Sequence, residues 1–149
     1  MVHAEPGEHE KRSQGGEQTA RGGSAAIAPS VIEALTVVVP DAAIERVGGL
    51  DRYSTAAALA DRLGWPDHAV AVVATGTDFA DAAVAVSVAV RVGSTVLLVR
   101  PDHLPEAVED LLATMSPQGA VVVGGLDAVG PQTELAIVRQ LPARVPAAI

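Results

Sequence analysis

The 149-residue chain has no cysteine, one lysine (Lys11) and three aromatic residues. Without cysteine it can form neither disulfide bonds nor thiolate metal sites. With so few aromatic rings, binding of single-stranded nucleic acid by base stacking is disfavoured. What the chain has in quantity is small and aliphatic: 49% of its residues are hydrophobic, most of them alanine and valine. This composition is typical of closely packed parallel strands and helices with one core.

The formal net charge of −8 repels nucleic acid and anionic membranes at long range, so neither is expected as a partner. The longest apolar stretch, 82–99, contains Arg91 and Gly93, which favours a buried helix followed by a buried strand over a membrane span. Residues 25–43 resemble a secretion signal only weakly, because Pro29 and Glu33 interrupt them. No clear signal peptide is therefore predicted.

Short apolar runs alternate with longer amphipathic segments from residue 44 onward. Residues 1–21 are polar and without periodicity, which predicts a disordered tail. The segment 78–92 alternates valines with small residues, as a strand would, but its length and acidic start favour a helix. The predicted strands are Ile44–Val47, Ala69–Ala74, Thr95–Val99 and Ala120–Val123. The predicted helices are Asp51–Leu63, Asp78–Val92, Leu104–Met115 and Pro131–Leu141.

This alternation predicts βαβ units with right-handed crossovers. The expected fold class is α/β: a three-layer α/β/α sandwich around a mostly parallel, four-stranded, Rossmann-like open sheet. Residues 44–149 would form this one domain.

The chain also contains an internal match. Residues 22–29 and 124–131 share Gly-Gly, an alanine and a final proline at identical places, at an offset of 102. The pairs Arg46-Val47 and Arg144-Val145 match again at an offset of 98. Fixed spacing of this kind is typical of repeat proteins. Segment 22–43 is therefore expected to be the remnant of a preceding repeat, or else a linker helix.

Four motifs in order resemble the cell-wall-binding repeat 2 family, between about residues 44 and 141. They are RVGGLDRYSTA at 46–56, TGTDFADA at 75–82, VLL at 96–98 with Asp102 and Leu104-Pro105, and VVGG at 122–125 with Ala128-Val129. The family usually has proline where Ala80 stands. The resemblance implies a non-catalytic module, extracellular at the cell wall or cell surface of a Gram-positive bacterium. It also implies an anionic cell-wall polymer or a peptidoglycan-associated glycan as partner. Such repeats occur typically three in tandem, so other repeats are expected partners, including in a homotrimer.

Ligands of open parallel sheets bind at the carboxyl ends of the strands. There Arg52 is the expected lead contact for the polymer, with Arg46 and Arg100 second, because guanidinium groups bind phosphate and carboxylate through two parallel hydrogen bonds. Helix capping is an equally ordinary role for Asp51, and the favoured one for Asp78 and Asp81. The predicted ligand-binding residues are Arg46, Asp51, Arg52, Tyr53, Thr55, Asp78, Asp81 and Arg100.

Two other functions are open on the sequence. Residues 82–90 are apolar on every side, which suits an assembly domain whose partners are other repeats. A small Rossmann-like hydrolase or nucleotide-binding protein would use Asp78 and Asp81, yet neither a phosphate-binding glycine loop nor a nucleophile elbow is present. No catalytic residue, metal site or cofactor is expected.

Overall fold

The computed structural model describes residues 26–66 and 69–143. The predicted disordered tail, 1–21, lies outside this range. The described residues form five helices and three strands. In chain order they are α1 (Pro29–Val38), α2 (Arg52–Leu63), β1 (Val70–Thr75), α3 (Phe79–Val92), β2 (Val96–Val99), α4 (Glu106–Met115), β3 (Gly119–Val123) and α5 (Pro131–Gln140).

The strands form one parallel sheet in the order β2-β1-β3. In the middle of the sheet Val73 of β1 lies beside Leu97 of β2 on one side and Val122 of β3 on the other. Parallel neighbours need crossover connections, and here these contain α3 and α4. The α/β class and the parallel sheet are therefore confirmed.

The fourth predicted strand is wrong: the described part of the sheet has three strands, and Ile44–Val47 forms none. Only Ile44 and Val47 are partly buried in this run. The carboxylate of Glu45 lies 2.8 Å from the guanidinium of Arg62, so the segment is tied to the end of α2 by a side-chain ion pair. Ile44 and Val47 are therefore partly buried, but the segment is not hydrogen-bonded into the sheet as a strand.

Helices pack against both faces of the sheet, since alternate residues of β1 point to opposite sides. On one face Ala71 and Val73 belong to a large core cluster with residues of α2, α4 and α5, including Leu112. On the other face Val72 and Ala74 pack with Ala85 and Ala89 of α3, helped by partly buried valines. The small side chains allow α3 to approach the sheet closely.

The ends of α2 and α3 are set by local chemistry. Asp51 caps α2: its carboxylate accepts a hydrogen bond from the Ser54 N–H, and the Ser54 hydroxyl accepts one from the Asp51 N–H. Asp78 caps α3, where its carboxylate accepts the Ala80 N–H at 2.8 Å. The helical alternative for 78–92 and both predicted caps are thus confirmed. The remaining predicted elements agree with the structure within about two residues at each end.

Helices α1 and α5 occupy corresponding positions in the internal match between residues 22–29 and 124–131. Both are ten residues long and begin with a proline, Pro29 and Pro131, at the offset of the internal match. Helix α5 buries Thr133 and Ile137, whereas α1 buries no residue. The equal length supports the idea of a preceding repeat, which stays a prediction.

Candidate functional site

An open cleft of about 770 Å³ lies beside the start of α2 and the carboxyl ends of β1 and β2. Parallel α/β sheets commonly bind ligands at this end of the strands. The cleft has a charged rim and an apolar side formed by α2 and β2. Its lining consists of Asp51, Arg52, Tyr53, Thr55, Ala56, Leu59, Thr77, Leu98 and Arg100.

Arg52 connects the first turn of α2 to the end of β1. One terminal nitrogen of its guanidinium donates a hydrogen bond to the Gly76 carbonyl oxygen at 2.6 Å. The Gly76 N–H in turn donates to the Val99 carbonyl oxygen at 2.8 Å, which ties the turn after β1 to β2. The contact places the Arg52 guanidinium at the rim of the cleft.

Arg100 follows β2 and crosses the ring of Tyr53. Its guanidinium carbon lies 4.4 Å from the ring centroid, in range for a cation–π contact. A terminal nitrogen lies 3.8 Å from the Asp51 carboxylate, a loose ion pair between two partly exposed side chains. Tyr53 is itself buried, so its ring is a fixed surface that orients the arginine.

The backbone that carries Arg100 is also fixed. The Thr133 hydroxyl is buried at the start of α5 and lies 3.1 Å from each of the carbonyl oxygens of Arg100 and Pro101. The Gly130 N–H donates to the Pro101 carbonyl oxygen at 2.8 Å. Two contacts from α5 and the turn before it therefore hold the loop after β2.

Asp51 and Thr55 use most of their polar atoms within the loop and helix that they join. The Thr55 hydroxyl donates to the Asp51 carbonyl oxygen at 2.7 Å and accepts the Gly49 N–H at 3.0 Å. Partial burial raises the pKa of Asp51, but hydrogen bonds from Ser54 and the Tyr53 N–H, with the charge of Arg100, together bring it below its usual value. Asp51 is thus held as a carboxylate that faces Arg100.

The structure brings together five of the eight residues predicted from the sequence: Asp51, Arg52, Tyr53, Thr55 and Arg100. The other three do not line the cleft. Arg46 lies in the exposed segment before α2, and Asp78 and Asp81 belong to the start of α3, which packs on the opposite face of the sheet.

Asp81 faces a different turn, the one after β3. Its carboxylate is so close to Gly124 that a side-chain carbon added to Gly124 would lie 2.8 Å from one carboxylate oxygen. It therefore lies at the junction of β1 and β3, whereas the arginines lie beside β1 and β2.

Four residues that line the cleft are not among the eight predicted ligand-binding residues: Ala56, Leu59, Thr77 and Leu98. Two of them carried a usable signal. Arg52, Thr55, Ala56 and Leu59 have the spacing i, i+3, i+4, i+7, which places them on one face of a helix. If α2 places Arg52 at the cleft, its helical spacing also places Ala56 and Leu59 there, and these two residues form the apolar wall beside the arginine.

Within residues 26–66 and 69–143, no three histidine, aspartate or glutamate side chains are grouped as ligands for a metal ion. None of the helices described in the structure is both long enough and apolar enough to cross a membrane.

Comparison with known proteins places this region in a family. The family described as "Cell wall binding domain 2 (CWB2)" matches residues 46–134. A curated relative is the N-acetylmuramoyl-L-alanine amidase LytC of Bacillus subtilis (strain 168), with 30% identity over 93 residues. That match covers 62% of this chain and 18% of the amidase, so the chain spans less than a fifth of its relative's length. The family match covers more than half of the chain and all the lining residues of the cleft, and the chain belongs to the cell wall binding domain 2 family, whose members are binding modules.

Proposed function

We propose that the chain is a non-catalytic module that attaches a protein non-covalently to an anionic polymer of the Gram-positive cell wall. The observation that carries the proposal is the pair of guanidinium groups, Arg52 and Arg100, at one cleft of an otherwise acidic chain. The position is extracellular, at the cell wall or cell surface, in agreement with the family and with the amidase relative.

The electrostatics of the cleft support an anionic ligand. Among the described residues that line it, two arginines and one aspartate carry the charge. The ion pair of Arg100 with Asp51 is loose, since the two groups are 3.8 Å apart and both side chains are about 40% exposed. Such a guanidinium keeps donors for a phosphate or carboxylate group, which it can bind through two parallel bonds.

The apolar wall of the cleft supports a polymer with uncharged parts between its charges. Leu59 of α2 and Leu98 of β2 line the cleft beside the arginines. A chain of anionic groups joined by sugar or polyol units would place its charges on Arg52 and Arg100 and its carbon atoms on this wall. A single site of this size binds weakly, so useful affinity needs several modules acting together through effective concentration.

The experiment is co-sedimentation of the purified chain with isolated Gram-positive cell walls over a range of salt concentrations. Retention of the unchanged chain should fall as salt rises, because the contacts are between charges. Arg100→Gln should reduce the affinity about tenfold, as expected for loss of a hydrogen-bonded charge. Arg139→Gln, at an exposed arginine of α5, is the matched control and should leave retention unchanged.

Two outcomes contradict the proposal. One is the lack of salt-sensitive retention at any concentration of the module. The other is equal retention of the Arg100 and Arg139 variants, which would show that the net loss of one positive charge, and not its position at the cleft, sets binding.

A second candidate is assembly with other repeats, including as a homotrimer. It is favoured by the outer side of α3, where Phe79, Val84, Val86 and Val90 are all more than half exposed. Apolar surface of this kind marks interaction sites when it is contiguous. Size-exclusion chromatography with light scattering tests it: a concentration-dependent trimer that Val86→Asp abolishes supports assembly, and a monomer at every concentration contradicts it.

A further inference from the structure

A second concave region lies at the opposite, amino-terminal edge of the sheet, around Trp65. Two open clefts, of about 580 and 550 Å³, meet at this residue and share Gly64, Trp65 and Pro66 in their lining. Trp65 is the only tryptophan of the chain and is partly exposed, although part of its indole packs against the larger core cluster. The indole of Trp65 therefore lines both clefts, and the part of it that faces the core is held by packing.

The strands give this region a regular layout. The residues directly before β1, β2 and β3 are Ala69, Thr95 and Gln118. Ala69 and Gln118 line the larger cleft, and Thr95 lines the smaller one. Since β1 is the central strand, the two clefts run across the whole amino-terminal edge of the three-stranded sheet, a width of roughly 10 Å.

Two polar atoms in this region have no hydrogen-bond partner among the described residues: Nε1 of Trp65 and the hydroxyl oxygen of Thr95, both buried. Such atoms are rare in native structures, because each loses its bonds to water and gains none in return. Both side chains line the smaller cleft. Because both atoms are buried, a ligand in that cleft can bond them only if the indole shifts as the ligand binds.

The charge of the region differs from that of the arginine cleft. Among the described residues that line the two clefts around Trp65, Asp61 alone has a charged side chain, and its carboxylate disfavours an anionic group there. The larger cleft adds the hydroxyl of Ser116 and the amide of Gln118. An aromatic ring beside a carboxylate, a hydroxyl and an amide suits a ligand with an apolar face and a rim of hydroxyl groups.

We infer that the clefts around Trp65 bind an uncharged sugar of a glycan chain. The C–H face of the pyranose ring packs on the indole, its hydroxyl groups donate to Asp61, and Thr95 and the indole N–H bond its ring substituents. The site lies at the other end of the sheet from Arg52 and Arg100. The inference therefore does not depend on the proposed function of the arginine cleft.

The test uses the full ¹⁵N-labelled chain, because the one indole N–H gives one isolated signal. It is titrated with N,N′,N″-triacetylchitotriose and, separately, with maltotriose. We expect a saturable downfield shift of the indole signal with at least one sugar, with a dissociation constant of about 1 mM. The backbone signals of Gly64, Thr95 and Gln118 should move with it, and that of Gly76 at the arginine cleft should not.

Variants keep Trp65 as the reporter, since its removal could unfold the core against which it packs. Asp61→Asn should weaken binding about tenfold, as expected for the loss of a charge-assisted hydrogen bond, and Thr95→Val should weaken it too. Asp110→Asn, at an exposed acid of α4 outside both clefts, is the matched control. Lack of a saturable shift with both sugars overturns the inference, as does equal weakening by the control. An indole shift caused by inorganic phosphate overturns the uncharged class of ligand.

Discussion

Replacing Gly76 with alanine tests whether the arginine cleft depends on the close contact between the turn after β1 and the side chain of Tyr53. A β-carbon added to Gly76 would lie 2.5 Å from Cε1 and 3.1 Å from Cζ of the Tyr53 ring, and 3.3 Å from Cδ of Arg52. Tyr53 is 5% exposed, so the ring has little room to retreat. A shift of the ring would also displace Arg100, because its guanidinium lies over the ring.

The expected cost of this overpacking is about 1–3 kcal/mol in the free energy of unfolding. For a folded unit of about 100 residues this corresponds to a fall in Tm of roughly 5–20 °C. Binding to cell walls should fall as well, because displacement of Tyr53 moves the guanidinium that its ring orients. Urea unfolding followed by circular dichroism measures the first effect, and co-sedimentation measures the second.

Gly125→Ala is the matched control, since this glycine lies in the turn after β3 and an added β-carbon meets no atom within 4 Å. It should unfold within about 0.5 kcal/mol of the unchanged chain. Equal stability of the two variants would refute the argument, because it would show that Tyr53 can retreat freely. Normal wall binding by a destabilised Gly76→Ala would refute only the link between the ring and Arg100.

Two further predictions concern a cap and the core. Asp51→Ala should cost about 0.5–2 kcal/mol through loss of the α2 cap, whereas Asp51→Asn should cost little at neutral pH. The pKa of Asp51 is lower in the folded chain than in the unfolded one, where it is about 4. The carboxylate therefore contributes fully to the free energy of unfolding above about pH 4, and this contribution is lost as the pH falls through the folded pKa. Acid should thus destabilise the unchanged chain more than Asp51→Asn. Equal acid sensitivity in a urea series at pH 5 and pH 2.5 would contradict this. Leu112→Ala, in the fully buried centre of the larger cluster, should cost about 2–5 kcal/mol, and Val90→Ala, on the exposed side of α3, less than about 0.5 kcal/mol; similar costs for the two would show that the outer side of α3 is covered in solution.

The sequence predicted the elements best where apolar runs end at strong local signals. The runs that became β1, β2 and β3 are rich in valine, and each adjoins a glycine, threonine or arginine at a turn. Asp51 and Asp78 stand in the capping positions that local chemistry favours. Ile44–Val47 has an apolar residue at each end and two charged residues between them, and its Glu45 is paired with Arg62, 17 positions away. A pattern of neighbouring residues cannot predict an ion pair between residues this far apart in the chain.

The candidate site was predictable where it follows from the end of a parallel strand. Arg100 directly follows β2, and Arg52 opens a helix next to it, so the general rule for parallel sheets was enough. The same rule placed Asp78 and Asp81 in the site, because they also follow a strand. It cannot tell on which face of the sheet the next helix packs. Helix α3 packs on the face opposite to α2, and the two aspartates go with it.

The strand order also determines which pair of strands can form first during folding. Val72 and Val96, paired between β1 and β2, are 24 residues apart, whereas Val70 and Gly119, paired between β1 and β3, are 49 apart. Closing the longer loop costs about 0.6 kcal/mol more entropy, and β3 also leaves the ribosome last. Until it arrives, β1 has one open edge composed of valine and alanine, which is a template for pairing with another chain. Fragments that end before Gly119 should therefore aggregate, and β1 is the segment that we expect a chaperone to bind.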